Sequence, residues 1–232
     1  MRIAPRRVLS FALLVIAVPV VVVGGALLFR GRHHAWISLC VAVLTCAAMF
    51  AAFERRETSA RETVVLAVMT ALSVVGRFVF AFLPGFKPVT AITVIAAIWL
   101  GPQAGFTVGA LSALISNFYF GQGAWTPIQM LAWGVIGLLA GALSRLLKKS
   151  KILLCAFGAL AGVLFSMLMD VWTVLWMDGR FVLTRYLAAL SSALPVTVGY
   201  AVSNVIFLLL LAGPIGEKLE RIKKKYGLFS YA

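Results

Sequence analysis

The chain has 232 residues, of which 62% are hydrophobic and 12% are charged, and it carries a formal net charge of +14 at pH 7. Soluble domains are roughly half apolar and one quarter charged, so this composition excludes an ordinary soluble protein. Repeated apolar stretches of about 20 residues, each long enough to cross a bilayer, predict an all-α integral membrane protein. Because the basic residues cluster at the ends of these stretches, membrane lipid is the expected partner and nucleic acid is not.

Eight hydrophobic spans are predicted along the chain. The first two lie at about residues 8–29 and 35–53, and a charged break follows at 54–62. The first apolar run is longer than the core of a secretory signal peptide, so we expect it to remain in the protein as a span. The six later spans lie at about residues 63–83, 89–100, 104–120, 127–147, 152–176 and 191–213.

Two segments depart from the pattern of an ordinary span. The stretch 89–100 is short and is bounded by Pro88 and by the Gly-Pro pair at 101–102, so we predict a tilted or partial span there. Between the last two spans, apolar and aromatic side chains recur at helical spacing over residues 181–187. This segment is less apolar than a span, and it predicts a short interfacial helix at the outer surface.

The basic residues also predict the orientation of the chain in the membrane. Fifteen of the 21 Lys and Arg residues fall in segments that are cytosolic if the N-terminus is inside, five fall in outer loops, and Arg77 lies within a span. By the positive-inside rule, both termini are therefore predicted to be cytosolic. The same orientation places the segment 116–130 at the outer face.

The sequence lacks the common signatures of catalysis and metal binding. It contains no GxxxxGK[ST] phosphate loop, no HExxH and no GxSxG, so neither ATP hydrolysis by a phosphate loop nor a familiar hydrolase chemistry is indicated. Its three cysteines have no metal-ligand spacing and are expected to be small apolar side chains. We therefore expect no enzymatic activity, no metal site and no cofactor.

The candidate binding residues concentrate at the predicted outer end. "FLPGFKP" (82–88) is a Pro- and Gly-rich loop with one cation, and "SNFYFGQGAWTPIQM" (116–130) gathers amides and aromatics around two glycines. Polar groups at helix ends with apolar walls are typical of a small-molecule site, although an interfacial belt would also explain some of the aromatics. The predicted ligand contacts from these segments are Lys87, Asn117, Tyr119, Gln122, Trp125, Gln129 and Trp133.

Two ionisable residues, Arg77 and Asp170, lie inside predicted spans. A single charge is expensive in hydrocarbon, so both side chains are expected to face the bundle interior and find partners there. They would either pair with each other or contact a ligand, and the sequence leaves both possibilities open. We include both among the candidate ligand contacts.

Small residues recur four apart in several spans, which allows helices to approach closely. GxxxG occurs at Gly105 and Gly109, at Gly137 and Gly141, and at Gly158 and Gly162, while Ala67 and Ala71 form AxxxA. Packing inside the bundle is the expected role of such motifs. A docking face for a second membrane protein is the alternative.

Together these residues resemble the substrate-binding S component of energy-coupling factor (ECF) vitamin transporters. "ETVVLAVMTALSVVGRFVFAFLPGFKPVTAI" is similar to the first core helix and first outer loop of that family, and "GQGAWTPIQ" (121–129) is similar to its middle helices. The resemblance implies a six-helix substrate-binding membrane core at 61–219. Two extra N-terminal transmembrane helices and a basic cytosolic loop (1–60) would precede that core, and a basic cytosolic tail (220–232) would follow it.

The resemblance also implies a function. S components of prokaryotic plasma membranes bind a vitamin-like ligand at the outer face and deliver it inward with a transmembrane scaffold subunit and two cytosolic ATPases. On this basis, Ala67 and Ala71 would dock on the scaffold, and the loops 84–88 and 118–126 would form the lid and wall of the pocket. Cobalamin is the first expectation for the ligand, with pantothenate, folate, queuosine precursors and a pyrimidine precursor left open.

Two other functions remain open from the sequence. One is an integral-membrane enzyme at the outer leaflet that uses Asp170 and Arg77, although no nucleophile–base pair or metal cluster is visible. The other is a stand-alone secondary transporter, although the chain shows few intramembrane charges and no clear internal repeat.

Overall fold

The computed structural model describes residues 59–229, together with Cys40, Val43, Leu44, Cys46 and Ala47. Between residues 59 and 229 all regular structure is helical, as predicted. The predicted first two spans lie outside the described residues apart from those five. The helices are α1 (Ala60–Val79), α2 (Val89–Leu100), α3 (Pro102–Phe120), α4 (Trp125–Ala142), α5 (Ser144–Lys149), α6 (Lys151–Asp178) and α7 (Leu183–Tyr226).

Four of these helices, α1, α4, α6 and α7, are long and apolar enough to cross a membrane by length and composition. Helix α2 has only 12 residues, which at 1.5 Å per residue give a length of about 18 Å. That is shorter than the hydrocarbon core of roughly 30 Å, so α2 is too short to cross it, and the prediction of a partial span stays a prediction. Almost every residue of α2 is buried, and the helix forms the centre of the bundle.

The glycine motifs pack inside the bundle. Gly101 has φ 106°, a left-handed conformation that favours glycine, and it turns the chain from α2 directly into α3. A Cβ on Gly105 would lie 2.3 Å from the Cβ of Ala97, and a Cβ on Gly109 would lie 2.7 Å from the Trp133 carbonyl oxygen. Helices α2, α3 and α4 therefore touch through glycine surfaces, which confirms the internal-packing role of this motif.

The pair α6 and α7 is built in the same way. A Cβ on Gly162 would lie 2.9 Å from the backbone nitrogen of Ala201. The side-chain amide of Asn204 donates to the Gly158 carbonyl oxygen at 3.0 Å. A hydrogen bond of 2.6 Å joins the hydroxyls of Ser166 and Thr197. Small and polar side chains thus hold the two longest helices together.

Helix α7 differs from the prediction. It is one helix of 44 residues, so there is no separate interfacial helix at 181–187, and the predicted basic tail is helical as far as Tyr226. Pro195 and Pro214 lie within α7 without ending it. Lys and Arg are good helix formers, so the basic segment after residue 217 continues the helix beyond its apolar part.

The bundle has two chemically different ends. The first, here called the loop end, carries loop 80–88, the turn 121–124 and the turn 179–182. The second, the basic end, carries α5 and the last turns of α7, where Lys223 Nζ donates to the Trp99 carbonyl oxygen at 3.4 Å. At the basic end the backbone N–H of Phe229 also donates to the Glu62 carboxylate at 2.6 Å, which ties the end of α7 to the start of α1.

Candidate functional site

A buried polar network, the Arg77 network, occupies the loop end. Arg77 lies in the last turn of α1 and is 7% exposed. Its guanidinium donates to the Ser116 hydroxyl and, at 2.9 Å, to the Asn117 side-chain oxygen. The Asn117 side-chain nitrogen donates in turn to Thr126 Oγ1 at 2.9 Å and to Gln129 Oε1 at 2.8 Å. These hydrogen bonds join α1, the end of α3 and the start of α4.

A row of aromatic rings extends from this network across the bundle. The Arg77 guanidinium carbon lies 5.3 Å from the centre of the Trp133 ring. Trp133 stacks on Phe165 with ring centres 4.5 Å apart, and Phe165 meets Tyr200 edge to face at 5.3 Å. The rings therefore connect α4, α6 and α7, and they provide flat apolar faces beside a buried cation.

Loop 80–88 is fastened to α7 beside these rings. The Ser203 hydroxyl donates to the Lys87 carbonyl oxygen at 3.0 Å and accepts from the Lys87 N–H at 2.8 Å. Gly85 has φ 74°, and a Cβ there would lie 2.5 Å from the Val196 carbonyl oxygen, so glycine allows the loop to lie directly on the helix. Lys87 Nζ lies 5.5 Å from the centre of the Tyr200 ring, at the opposite end of the aromatic row from Arg77.

Neither cation of this site has an acidic partner among the residues that the structure describes. Burial and, to a smaller extent, the positive charge of Arg77 together lower the pKa of Lys87 to about 8. The two ion pairs found in the described part of the chain, Arg185 with Asp178 and Lys224 with Glu220, both lie elsewhere. The loop end thus holds two partly or fully buried positive charges within electrostatic reach of each other.

The structure divides the predicted ligand contacts into two groups. It brings Arg77, Asn117, Gln129 and Trp133 together, with Lys87 at the far end of the aromatic row. It leaves three others at the surface: the Tyr119 side chain is 75% exposed, Trp125 is 43% exposed, and Gln122 is exposed and donates to the Leu114 carbonyl oxygen at 3.0 Å. The segment 116–130 therefore presents one face to the interior and another outward.

Asp170 stands apart from Arg77. Both residues lie within the described part of the chain, and no ion pair joins them. The structure therefore does not show the Arg77–Asp170 pairing that the sequence left open as one of two possibilities. The Oδ2 atom of Asp170 is buried and has no hydrogen-bond partner. Whether Asp170 contacts a ligand stays a prediction.

Several residues of the site were not predicted from the sequence. Ser116 and Thr126 lie within the segment 116–130 but were not among its predicted ligand contacts. Phe165, Tyr200 and Ser203 come from α6 and α7, more than 30 residues further along the chain. Only the packing of α6 and α7 against α4 and loop 80–88 places them beside Arg77 and Lys87.

Two cavities open elsewhere on the described part of the chain. One, of about 240 Å³, is an apolar groove between α4 and α6 that is lined by Leu131 and Trp172 among others. The other, of about 530 Å³, is lined by charged residues around Asp178 and Arg185. Neither is lined by the predicted ligand contacts, and the Arg77 network is packed: Ser116, Asn117 and Trp133 are each at most 1% exposed.

The predicted docking residues lie on an exposed surface. Val64, Val68 and Val75 are 60%, 59% and 54% exposed, and with the exposed Ala67 and Ala71 they form one face of α1, here called the α1 stripe. Among the described elements, α1 packs against α2 and α3 with its opposite face. The AxxxA motif therefore differs from the three GxxxG motifs, which are all internal.

Comparison with known proteins identifies a protein family that matches this chain. A protein-family model described as "ECF-type riboflavin transporter, S component" matches residues 57–221, which is most of the chain. This family consists of transport subunits and not of enzymes, so the match favours a transport subunit over a membrane enzyme. It gives no support to the expectation that the ligand is cobalamin.

The curated relatives are more distant. The chain is 29% identical over 96 residues to a UPF0397 protein of Aliivibrio salmonicida, and this match covers 39% of the chain and 52% of the relative. It is 28% identical over 95 residues to a UPF0397 protein of Vibrio atlanticus, with 39% and 52% covered. The chain thus spans about half the length of the curated relatives it matches. No solved structure matches it.

Proposed function

The chain belongs to the family of ECF-type riboflavin transporter S components, and from this membership we propose that it captures riboflavin or a chemically related micronutrient at the loop end of the bundle. Members of this family are the substrate-specific membrane subunits of their transporters. They work with a transmembrane scaffold subunit and two ATPases. The ATPases hydrolyse ATP, so the substrate-binding subunit itself needs no phosphate loop.

The observation that carries the proposal is the Arg77 network beneath loop 80–88. Hydrogen-bonding groups and stacking faces meet there in a region otherwise made of apolar side chains, which is the usual character of a small-molecule site. The stacked rings of Trp133 and Phe165 and the nearby Tyr200 suit a flat aromatic ligand such as a flavin. Asn117 and Gln129 supply amide groups for its polar edge.

Binding requires loop 80–88 to move, because the region beneath it is packed. The loop is joined to α7 through the two hydrogen bonds of Ser203, the close contact of Gly85 and the packing of the Phe80 and Phe86 rings on Phe207. Opening the loop would break these contacts, and closing it would form them again. In the proposed cycle the loop opens, the ligand enters beside the aromatic row, the loop closes, and the whole subunit then reorients on its scaffold.

The remaining surfaces fit the same cycle. The α1 stripe would meet the scaffold subunit, because its small residues allow a second helix to approach closely. The basic end would face the cytosol under the positive-inside rule, which places the loop end at the outer surface. This is the orientation that a subunit for uptake needs.

The proposal is tested by titrating riboflavin into the purified chain in lipid nanodiscs and following the quenching of flavin fluorescence. Saturable binding at one site per chain is the expected result. Ile152→Ala serves as the control, because Ile152 is 81% exposed at the start of α6, away from the loop end, and this variant should bind as the unmodified chain does. If neither riboflavin nor any member of a vitamin panel binds, the loop end is not a ligand site.

A further inference from the structure

No acidic side chain in the described part of the chain is paired with the buried charge of Arg77. Its partners are the hydroxyl of Ser116, the amide oxygen of Asn117 and the faces of Phe120 and Trp133, all of which are neutral. Its Nε is buried and has no hydrogen-bond partner. Buried charges are normally paired with an opposite charge, so a purely structural role for Arg77 would require an opposite charge beside it.

Lys87 adds a second positive charge to the unpaired charge of Arg77. Lys87 is partly buried, and the Arg77 guanidinium is one of the two causes that lower its pKa. A pair of like charges in a poorly solvated region raises the energy of the unoccupied protein. A neutral side chain at position 87 would avoid this repulsion, because Ser203 binds only the backbone of Lys87 and would hold the loop in the same way.

Asp170 of α6 does not neutralise these charges. It forms no ion pair with either cation within the described part of the chain, and it is not among the causes that shift the pKa of Lys87. The remaining group at the far end of the row, Tyr200, is a neutral phenol. Asp170 lies within electrostatic reach of Tyr200 but is ion-paired with neither cation, so within the described part of the chain no acid is paired with Arg77 or Lys87.

We propose that the ligand of this site carries an anionic group, a phosphate or a carboxylate, which is bound by Arg77 and Lys87 beneath loop 80–88. Among the described residues the guanidinium of Arg77 has an unused donor at its buried Nε, and the ammonium of Lys87 supplies a second positive charge from the loop. The inference rests on the proposed function and narrows its ligand to the anionic members of the micronutrient class.

The test compares two ligands that differ only in one phosphate group, riboflavin and riboflavin 5′-phosphate, in nanodiscs of zwitterionic lipid so that no anionic lipid competes. The phosphate ester is expected to bind about tenfold more tightly or better, as is typical of a hydrogen bond to a charged group. Lys87→Gln should abolish this preference. Lys218→Gln, an exposed position at the basic end with the same change in net charge, should retain it.

A second measurement separates this inference from the identity of the ligand. Thermal unfolding of the unmodified chain and of Lys87→Gln is followed with added inorganic phosphate or acetate at constant ionic strength. If the added anion stabilises the unmodified chain but not Lys87→Gln, and no flavin binds, the anion site is upheld and a flavin is rejected as the ligand. Riboflavin binding as tight as that of its phosphate would reject the anion site and uphold the transport subunit. No effect of either flavins or anions would overturn both.

Discussion

The side chain of Gln129 separates the inner face of the segment 116–130 from its outer face. Its Oε1 accepts from Asn117, which in turn accepts from Arg77, so Gln129 helps to fix the position of the buried guanidinium. Trp125, one turn earlier, is 43% exposed and packs over Gly123. The two residues were predicted from the sequence to act alike, and the structure gives them different surroundings.

We therefore expect Gln129→Ala to weaken ligand binding about tenfold or more, because the amide of Asn117 loses one of its two acceptors and is free to turn away from Arg77. Trp125→Ala should change the affinity less than threefold. Both are measured by flavin titration, and circular dichroism reports whether the helices persist. A larger loss for Trp125 than for Gln129 would move the site to the outer surface.

Lys87 gives ligand binding a pH dependence. Its pKa is lowered to about 8 by burial and by the positive charge of Arg77, so its ammonium loses its proton between pH 7 and 9, whereas a free lysine keeps it to about pH 10.4. Because the neutral amine must take up a proton before it can hold an anion, affinity for an anionic ligand should fall as the pH rises above 8.

Lys87→Arg keeps its charge throughout this range and should retain affinity at pH 9. The measurement is a set of titrations with riboflavin 5′-phosphate from pH 6.5 to 9.5. The other charged and titratable groups near this position, Arg77, Asp170 and Tyr200, are the same in both proteins. An identical pH profile for the unmodified chain and for Lys87→Arg would show that the fall arises from one of them.

At the scale of the helices, the close contact of α3 with α4 determines where the site lies. Gly109 meets the backbone of Trp133, the residue that stacks beside Arg77. Gly109→Ala should lower the free energy of unfolding by about 1–3 kcal/mol, because the added methyl group forces two backbones apart. Thermal unfolding in detergent measures this change.

Gly213 provides the matched control for that substitution. It also lies within a helix, α7, but a Cβ there would meet no atom within 4 Å. Gly213→Ala should therefore leave stability unchanged or raise it, since alanine favours a helix more than glycine does. Equal destabilisation by the two substitutions would indicate that the α3–α4 contact is looser than described.

The helices were predictable from the sequence to different degrees. Hydropathy, Pro88 and the Gly101–Pro102 pair were sufficient to place α2, since local chemistry ends that helix on both sides. The continuity of α7 was not predictable from composition, because the helix runs past its apolar part in both directions and contains Pro195 and Pro214. Its C-terminal end is held by the contacts of Lys223 with Trp99 and of Phe229 with Glu62, which no local pattern reports.

The residues of the candidate site were also predictable from the sequence to different degrees. Asn117 and Gln129 were predicted because amides beside glycine turns are unusual in an apolar chain. Phe165 and Tyr200 were not, because an aromatic residue in an apolar helix has no feature that distinguishes packing from ligand contact. The pairing of distant helices selects them, and that pairing depends on the small residues at Gly158 and Gly162.

At the scale of the whole molecule, the α1 stripe and the loop end lie on different surfaces and should be separable by mutation. Ala67→Trp would place a bulky side chain at the centre of the stripe and should abolish co-isolation with a scaffold subunit, because close helix approach needs small residues there. Ligand binding should be unchanged. Leu160→Trp, on α6 at a position 68% exposed, is the control and should affect neither property.

Loss of ligand binding together with co-isolation in Ala67→Trp would show that the two surfaces are coupled through α1. Loss of co-isolation in Leu160→Trp instead would place the docking face on α6.

The central claim, that this chain is the substrate-specific subunit of an ECF transporter, is tested most directly by native mass spectrometry of the chain isolated from its own host. The claim predicts a complex of the chain with a membrane scaffold and two ATPase subunits, and a retained small molecule. A chain that is isolated alone, holds no ligand and by itself drives uptake in proteoliposomes from an ion gradient would contradict the claim.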